Sequence, residues 1–222
     1  KKRLVRVAVG GRFVQHANVT EVTALSAVNL ELRAGDRLGL VGHNGSGKTT
    51  LLRAMAGVYE PDEGEVEVHG RIAALLSIAL GIDPSASGLA NIRLRARIAG
   101  LSHSAIDDKL EEICEFTGLG PFLAMPVKTY SAGMQARLAF AAATAVEADI
   151  LLMDEWIAVG DADFQVAANR RLHDLVDRSG ILVLASHDHE LLRRYCNKVI
   201  RMDAGVPSPI TDVGNLDDLL HS

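Results

Sequence analysis

The segment from Gly42 to Thr49 reads Gly-His-Asn-Gly-Ser-Gly-Lys-Thr. Its spacing matches the phosphate-binding loop, in which a glycine and four variable residues precede Gly-Lys and a Ser or Thr. The apolar run Leu38–Val41 comes before it, and a helix-forming stretch from Thr50 to Ala56 follows it. Because a buried strand, a glycine-rich turn and a helix are the context that this loop requires, the segment predicts an α/β fold with a nucleotide phosphate site.

The predicted loop assigns different tasks to its backbone and its side chains. Its glycines let successive N–H groups point at one phosphate chain, and the N-terminus of the following helix favours negative charge. Lys48 is expected to bridge the β- and γ-phosphates of the nucleotide, although the loop alone does not separate kinases, GTPases and transport ATPases. Thr49 is expected to offer its hydroxyl to Mg²⁺, a cation that prefers oxygen ligands. The predicted nucleotide-binding residues are Gly42, His43, Asn44, Gly45, Ser46, Gly47, Lys48, Thr49 and Thr50.

Two carboxylates follow a second buried strand. Ile150–Met153 is a continuous apolar run, and Asp154 and Glu155 come directly after it, at the sheet edge where α/β proteins bind ligands. We expect Asp154 to hold Mg²⁺ through water. Glu155 is then placed to orient the attacking water, because phosphoryl transfer depends mainly on alignment and charge stabilisation. The alternative is that these carboxylates are only helix caps.

The remaining patterns predict a single domain of residues 1–222 that contains two lobes. Val28–Arg33 and Glu65–His69 alternate apolar and polar residues, as half-buried antiparallel strands do. Ile181–Ala185 is apolar throughout, which is typical of a parallel strand buried on both faces. A mostly helical lobe is expected at about 88–146; its clearest helix spans 104–116 and has Ile106, Leu110, Ile113 and Cys114 on one face.

The segment Tyr130-Ser131-Ala132-Gly133-Met134, with Arg137 three residues after Met134, resembles the signature motif of ABC transporter ATP-binding subunits. That resemblance implies a P-loop NTPase fold with a mostly parallel RecA-like core, an antiparallel β lobe and a helical lobe. It also implies a homodimer, in which the signature residues of one subunit contact the γ-phosphate bound by the other. The residues expected to bind nucleotide in this way are Ser131, Ala132, Gly133 and Met134.

Other segments extend the resemblance. Gly160 and Asp161 stand at the place of the family's D-loop, which reaches the partner's phosphate loop. His187 stands at the place of the switch histidine, whose imidazole can both donate and accept a hydrogen bond. We therefore expect Glu155 and His187 to be the catalytic pair. Two positions depart from the pattern: no Gln occupies the Q-loop near Ser77 or Ile78, and the adenine-stacking aromatic is either Phe13 or His16.

The signature variant, Trp156 after Glu155, and the sequence 158–165 (Ala-Val-Gly-Asp-Ala-Asp-Phe-Gln) resemble the ATP-binding subunits of polysaccharide exporters. The likeness implies export of a lipid-linked glycan of the O-antigen, capsular or teichoic type. It also implies an integral membrane permease as the second partner and a peripheral position on the cytoplasmic face of the bacterial inner membrane.

Net charge and the length of apolar runs argue against two other classes of protein, nucleic-acid binders and membrane-spanning chains. The 222 residues carry a formal charge of −5, whereas nucleic-acid-binding domains usually have a basic excess, so no nucleic-acid partner is expected. No apolar run approaches the roughly 18 residues of a membrane span. Two alternatives stay open: an ABC ATPase that acts as an assembly scaffold or mechanical regulator, and a P-loop kinase, which would need an acceptor pocket and a lid.

Overall fold

The computed structural model describes residues 4–9, 23–76, 81–156 and 161–221, and the chain divides into two compact units. The first unit takes in the described residues up to 76, residues 149–156 and those from 179 onward. The second takes in residues 81–148 and 161–178. The helical segment predicted at 88–146 lies in the second unit, together with a later helix. That the whole chain forms one domain stays a prediction.

The described strands all lie in the first unit together with some of the helices, whereas the second unit is helical. The strands in the described residues are β1 (Leu4–Val9), β2 (Val28–Arg33), β3 (Arg37–Val41), β4 (Glu65–His69), β5 (Ile72–Leu75), β6 (Ile150–Asp154), β7 (Ile181–Ala185), β8 (Lys198–Asp203), β9 (Val206–Pro207) and β10 (Thr211–Asp212). The α-helices are α1 (Lys48–Met55), α2 (Gly88–Ile98), α3 (His103–Thr117), α4 (Ala132–Ala143), α5 (Ala162–Arg178), α6 (His189–Tyr195) and α7 (Leu216–His221). Short 3₁₀ turns lie at Gly120–Ala124, Val127–Thr129 and Val213–Asn215.

The larger sheet of the first unit has the strand order β10-β8-β3-β7-β6-β5, and β9 pairs with β8. The neighbours from β8 to β5 are parallel, and β9 and β10 are antiparallel to β8. Every residue of β7 is buried, which explains its uninterrupted apolar sequence. The predicted α/β fold is confirmed, and the predicted parallel strands are neighbours in the order β3-β7-β6.

The smaller sheet is antiparallel, with the order β2-β1-β4. In β2 the alternate residues Val28, Leu30 and Leu32 are buried, and Asn29 and Arg33 between or beside them are exposed. This period of two places one face of the strand in the core and the other in solvent. The predicted antiparallel strands are therefore confirmed.

The second unit has its own apolar core. Ile92, Ile113 and Leu138 from three helices are almost fully buried in it. Phe116, Phe140 and Phe164 form an aromatic cluster with ring centroids 5.3–6.1 Å apart, a separation at which aromatic rings attract one another. The predicted amphipathic helix is confirmed as α3, with Ile106 and Ile113 buried.

None of the helices in the described part of the chain combines the length and the apolar composition that crossing a bilayer requires.

Replacing Phe140 with Ala is expected to lower the free energy of unfolding by about 3–5 kcal/mol, because the ring is fully buried and its removal leaves a cavity. Phe122→Ala is the matched control, since that side chain is 55% exposed; its effect is expected within about 0.5 kcal/mol. Urea unfolding of both variants measures the difference. Equal losses in the two variants would contradict the packing of the aromatic cluster.

Candidate nucleotide-binding site

The predicted phosphate loop runs from the end of β3 to the start of α1. Gly42 has φ 145°, and a β-carbon there would lie 2.3 Å from the Met202 carbonyl oxygen. Gly47 has φ 103° and immediately precedes α1. These left-handed conformations favour glycine, so the two residues fix the curvature of the loop. The free N–H groups of the first turn of α1 then lie at the loop, where an anion is favoured.

The Lys48 side chain folds back across the loop. Its Nζ donates to the carbonyl oxygens of Gly42 at 2.6 Å and His43 at 3.1 Å, and the residue is 8% exposed. The described residues thus occupy two of the three ammonium donors. One donor is left for a ligand, and the charge is held at the phosphate loop.

The Thr49 hydroxyl donates to Asp154 Oδ2 at 2.6 Å, which joins the first turn of α1 to the end of β6. The two groups bring a hydroxyl and a carboxylate together. This donor set fits Mg²⁺, which is usually held by one or two carboxylates while phosphates and water fill its other positions. In residues 4–9, 23–76, 81–156 and 161–221 no cluster of three His, Cys, Asp or Glu side chains could hold a metal by itself.

Glu155 has a left-handed backbone, with φ 75°. A non-glycine residue in this region costs about 1–3 kcal/mol and persists where its surroundings impose it. Its N–H donates to the Ala185 carbonyl oxygen at 2.9 Å, and its Oε2 accepts from Ser186 Oγ at 3.1 Å. His187 Nε2 lies 3.9 Å from Glu155 Oε1 and 3.1 Å from Asn44 Oδ1. The two predicted catalytic side chains therefore lie side by side.

An open cavity of about 530 Å³ lies within the first unit and collects most of the predicted residues. It is lined by residues 44–50 of the phosphate loop and α1, by Asp154 and Glu155, and by His187. Gly42 and His43 do not line it; His43 instead lies 3.4 Å from Asp203 Oδ1 through its Nε2. The phosphate loop thus lines the same cavity as two pairs of side chains: Thr49 with Asp154, and Glu155 with His187.

Four lining residues were not predicted from the sequence: Thr23, Ala24, Ala204 and Gly205. Gly205 N donates to the Ser46 carbonyl oxygen at 2.9 Å, and a β-carbon on Gly205 would lie 2.5 Å from the Ala24 carbonyl oxygen. The segment Asp203-Ala204-Gly205 carries a turn signal. That signal predicts a loop but not its contact with a loop more than 150 residues earlier.

The predicted signature residues lie in the second unit, at the start of α4. Ser131 caps this helix: its Oγ accepts from Met134 N at 3.2 Å. Ser131, Ala132 and Gly133 are exposed, and Met134 is half-buried. Tyr130 is buried, and its hydroxyl donates to the Phe122 carbonyl oxygen at 2.6 Å. The Tyr130 hydrogen bond therefore holds the residue before α4 in place. The exposed residues that follow it lie at the helix N-terminus, where an anion is favoured.

Asp161 is bound on both carboxylate oxygens within its own unit. Oδ1 accepts from Phe164 N at 3.1 Å, and Oδ2 forms an ion pair with Arg137 of α4. The Phe164 backbone hydrogen bond, followed by the Arg137 bond, lowers the pKa of the Asp161 carboxyl. The Arg137 guanidinium also lies 5.0 Å from the Phe164 ring centroid. Gly160, Phe13, His16, Ser77 and Ile78 lie outside the described residues.

Comparison with known proteins finds a matching family model, related sequences and related structures. A family model described as "ABC transporter" matches residues 25–158. The O-antigen export system ATP-binding protein RfbE of Yersinia enterocolitica is 44% identical over 207 residues, which are 93% of this chain and 87% of that protein. RfbB of Myxococcus xanthus, named for the same system, is 38% identical over 92% of this chain and 46% of its own length. The teichoic acids export ATP-binding protein TagH of Lactococcus lactis is 35% identical over 85% of this chain and 40% of its own length. The chain thus spans most of the first relative and less than half of the other two.

Solved structures share the fold. The ATP-binding subunit of an ABC transporter has a TM-score of 0.76 and 21% identity, covering 98% of this chain and 93% of that one. An ATP-binding cassette described as a dimer in a post-hydrolysis state, with ADP and Pi bound, has a TM-score of 0.72 and 21% identity, covering 94% and 98%.

Two hydroxyls of the phosphate loop are expected to differ in their effect on the nucleotide-free protein. Ser46 Oγ is buried and has no hydrogen-bond partner among the described residues, so Ser46→Ala is expected to leave stability unchanged or to raise it by up to about 1 kcal/mol. Thr49→Val removes the donor to Asp154 and is expected to cost about 1 kcal/mol. Denaturant unfolding compares them. A larger loss for Ser46→Ala would show that its hydroxyl has a structural partner.

Proposed function

This chain belongs to the ABC transporter family, and from that premise we propose that it is the Mg²⁺-dependent, ATP-hydrolysing motor subunit of a polysaccharide exporter. The observation that carries the proposal is the convergence of Lys48, the Thr49–Asp154 pair, Glu155 and His187 at one cavity. Each of these groups has a role in the hydrolysis of a nucleoside triphosphate, whereas a structural glycine turn needs none of them.

The proposed chemistry follows from the side chains. Lys48 and the N–H groups at the start of α1 bind the β- and γ-phosphates. Thr49 and Asp154 would hold Mg²⁺, which supplies positive charge to the phosphate oxygens when it is bound. Glu155 accepts a hydrogen bond from a water molecule and aligns its oxygen with the γ-phosphorus. The water oxygen forms a bond to that phosphorus as the bond to the β–γ bridging oxygen breaks. The water's proton passes by way of Glu155 to the phosphate product, and ADP and phosphate are released. His187 faces the same space beside Glu155.

The site is completed, in this proposal, by a second copy of the chain. Ser131 and Gly133 at the exposed start of α4 supply a hydroxyl, N–H groups and a helix N-terminus, which together suit a phosphate. The γ-phosphate bound by one subunit would then also contact the signature residues of its partner. ATP bound between two surfaces contributes free energy to the dimer and shifts the monomer–dimer equilibrium.

The proposed cargo and location come from the relatives. Proteins named for O-antigen export and for teichoic acid export match this chain over 85–93% of its length. We infer that the cargo is a lipid-linked glycan, and that an integral membrane permease holds the dimer at the cytoplasmic face of a bacterial inner membrane. These export relatives favour transport over the scaffold and mechanical-regulator alternative.

Glu155→Gln and Lys48→Ala are expected to fail at different steps. The Gln variant keeps its shape but loses the carboxylate, so it binds Mg-ATP while its hydrolysis rate falls by about 10²-fold or more. Because intact ATP is retained, this variant is expected to form a dimer. The Ala variant loses the ammonium group at the phosphates, so its ATP binding falls and no ATP-dependent dimer forms.

Hydrolysis assays and size-exclusion chromatography with and without Mg-ATP measure both effects. The protein concentration is set so that the nucleotide-free chain is monomeric. A Gln variant that hydrolyses ATP at the parental rate disqualifies Glu155 as the catalytic carboxylate. A Gln variant that binds ATP and remains monomeric contradicts the composite site.

The transport proposal predicts that a lipid-linked polysaccharide stimulates ATP turnover when the chain is purified with its membrane subunit. The same glycan without its lipid carrier is the matched control and is expected to give less stimulation. The complex with Glu155→Gln is expected to bind the substrate without turnover. Equal turnover with and without every lipid-linked glycan class tested would contradict the proposed cargo.

A further inference from the structure

The peptide that joins Glu155 to Trp156 is held near both ends of the same helix, α6. Ser186, three residues before the helix, contacts Glu155. Tyr195, the last residue of the helix, contacts Trp156. Glu155 itself has the left-handed backbone described above. Two contacts, one from just before α6 and one from its last residue, therefore lie on either side of the Glu155–Trp156 peptide.

The first contact is polar. Ser186 Oγ donates to Glu155 Oε2 at 3.1 Å and accepts from Asp188 N at 3.1 Å. Asp188 caps α6, because its Oδ1 accepts from Leu191 N at 3.1 Å. Ser186 is itself buried. The start of α6 and the Glu155 carboxylate are thus joined through one hydroxyl.

The second contact is aromatic. The Trp156 and Tyr195 rings are stacked, with centroids 4.7 Å apart and planes 19° apart. Tyr195 is 8% exposed, so its ring is fixed by the surrounding packing. The helix is fixed as well: Leu192 is fully buried, and a β-carbon on Gly39 of β3 would lie 3.1 Å from Leu192 Cδ2. Trp156 therefore stacks on a helix that packs against the main sheet.

We propose that Trp156 is a positioning residue, whose stack on Tyr195 keeps Glu155 left-handed and its carboxylate directed at the attacking water. A non-glycine residue leaves this region when its surroundings permit, and that rotation would turn the carboxylate away. The Ser186 hydrogen bond alone fixes one oxygen of a side chain that is 51% exposed. The stack on Tyr195 restrains the chain at Trp156, directly after Glu155. The inference rests on the proposed hydrolytic role of Glu155.

Trp156→Leu and Tyr195→Leu test the stack through kinetics. Each is expected to lower kcat by about tenfold, because a small loss of alignment is costly in phosphoryl transfer, while the Kd for ATP changes less than about twofold. Trp156→Phe and Tyr195→Phe keep an aromatic pair and are expected to retain most of the parental kcat. Tyr59→Leu is the matched control, since Tyr59 is an exposed tyrosine in the same unit that contacts Arg53. Parental kcat in both Leu variants, or equal losses in kcat and ATP affinity, would overturn the inference.

The chain contains one tryptophan, which gives a second readout that does not need a Trp156 variant. Its emission reports the stack directly. Tyr195→Phe is expected to keep the parental emission, and Tyr195→Leu is expected to shift it to longer wavelength as the indole gains contact with water. Tyr59→Leu is expected to leave it unchanged. Parental emission in a folded Tyr195→Leu protein would show that the rings do not stack.

A double variant separates this inference from the proposed function. If Trp156 acts through Glu155, adding Trp156→Leu to Glu155→Gln is expected to lower the residual hydrolysis by less than about twofold. A further tenfold loss would overturn the positioning role and leave the catalytic role of Glu155 standing. Parental hydrolysis by Glu155→Gln alone would instead refute that catalytic role, and the inference with it.

Discussion

The register of three parallel strands is the constraint on which the nucleotide site depends. Leu40 of β3 and Asp154 of β6 both pair with Ala185, the last residue of the strand between them. Two further hydrogen bonds extend this ladder beyond the strands: Ser186 N to the Leu40 carbonyl oxygen at 3.3 Å, and Glu155 N to the Ala185 carbonyl oxygen at 2.9 Å. The same edge of the sheet therefore carries the phosphate loop after β3, the two carboxylates at the end of β6 and the imidazole after β7. A shift of one strand by a residue would separate these groups. It would also move the side chains of that strand to the opposite face of the sheet.

This edge tolerates strain because its surroundings are stiff. Glu155 departs from the favoured backbone regions, and Ser46 keeps a buried hydroxyl without a partner among the described residues. The Glu155 backbone costs about 1–3 kcal/mol, and the unpaired Ser46 hydroxyl costs up to about 1 kcal/mol. β6 and β7 beside them are buried almost throughout, so the burial of apolar side chains in the sheet offsets that cost. The loops that bind the nucleotide therefore lower the stability of the fold, and the buried strands beside them raise it.

The sequence predicted the parts of the site that carry a local signal. Apolar runs of four and five residues predicted β6 and β7, and the fixed spacing of the phosphate loop predicted its place between β3 and α1. The contacts between distant segments had no such signal. Gly205 reaches Ser46, and Trp156 meets Tyr195, only because the sheet order brings these segments together. Asp161 was predicted from the family pattern to reach a partner subunit; its bonds to Arg137 and Phe164 depend on how α4 and α5 pack. The expectations for Phe13 and the Q-loop stay predictions.

The ion pair of Asp161 also bears on the electrostatics of the proposed composite site. Arg137 lies six residues beyond Ser131 in α4, which is about 9 Å along a helix. At that distance, about one Debye length at physiological salt, a free and exposed carboxylate would oppose the binding of a phosphate at Ser131 only weakly, and more strongly at low salt. Arg137 compensates that charge, and the Phe164 N–H stabilises the same carboxylate from the start of α5. In the proposed dimer, the Asp161 carboxylate would thus already be compensated within its own subunit when the start of α4 meets the partner's ATP. Because Arg137 also contacts the Phe164 ring, the same side chain joins the phosphate-facing helix to the aromatic cluster that stabilises the second unit.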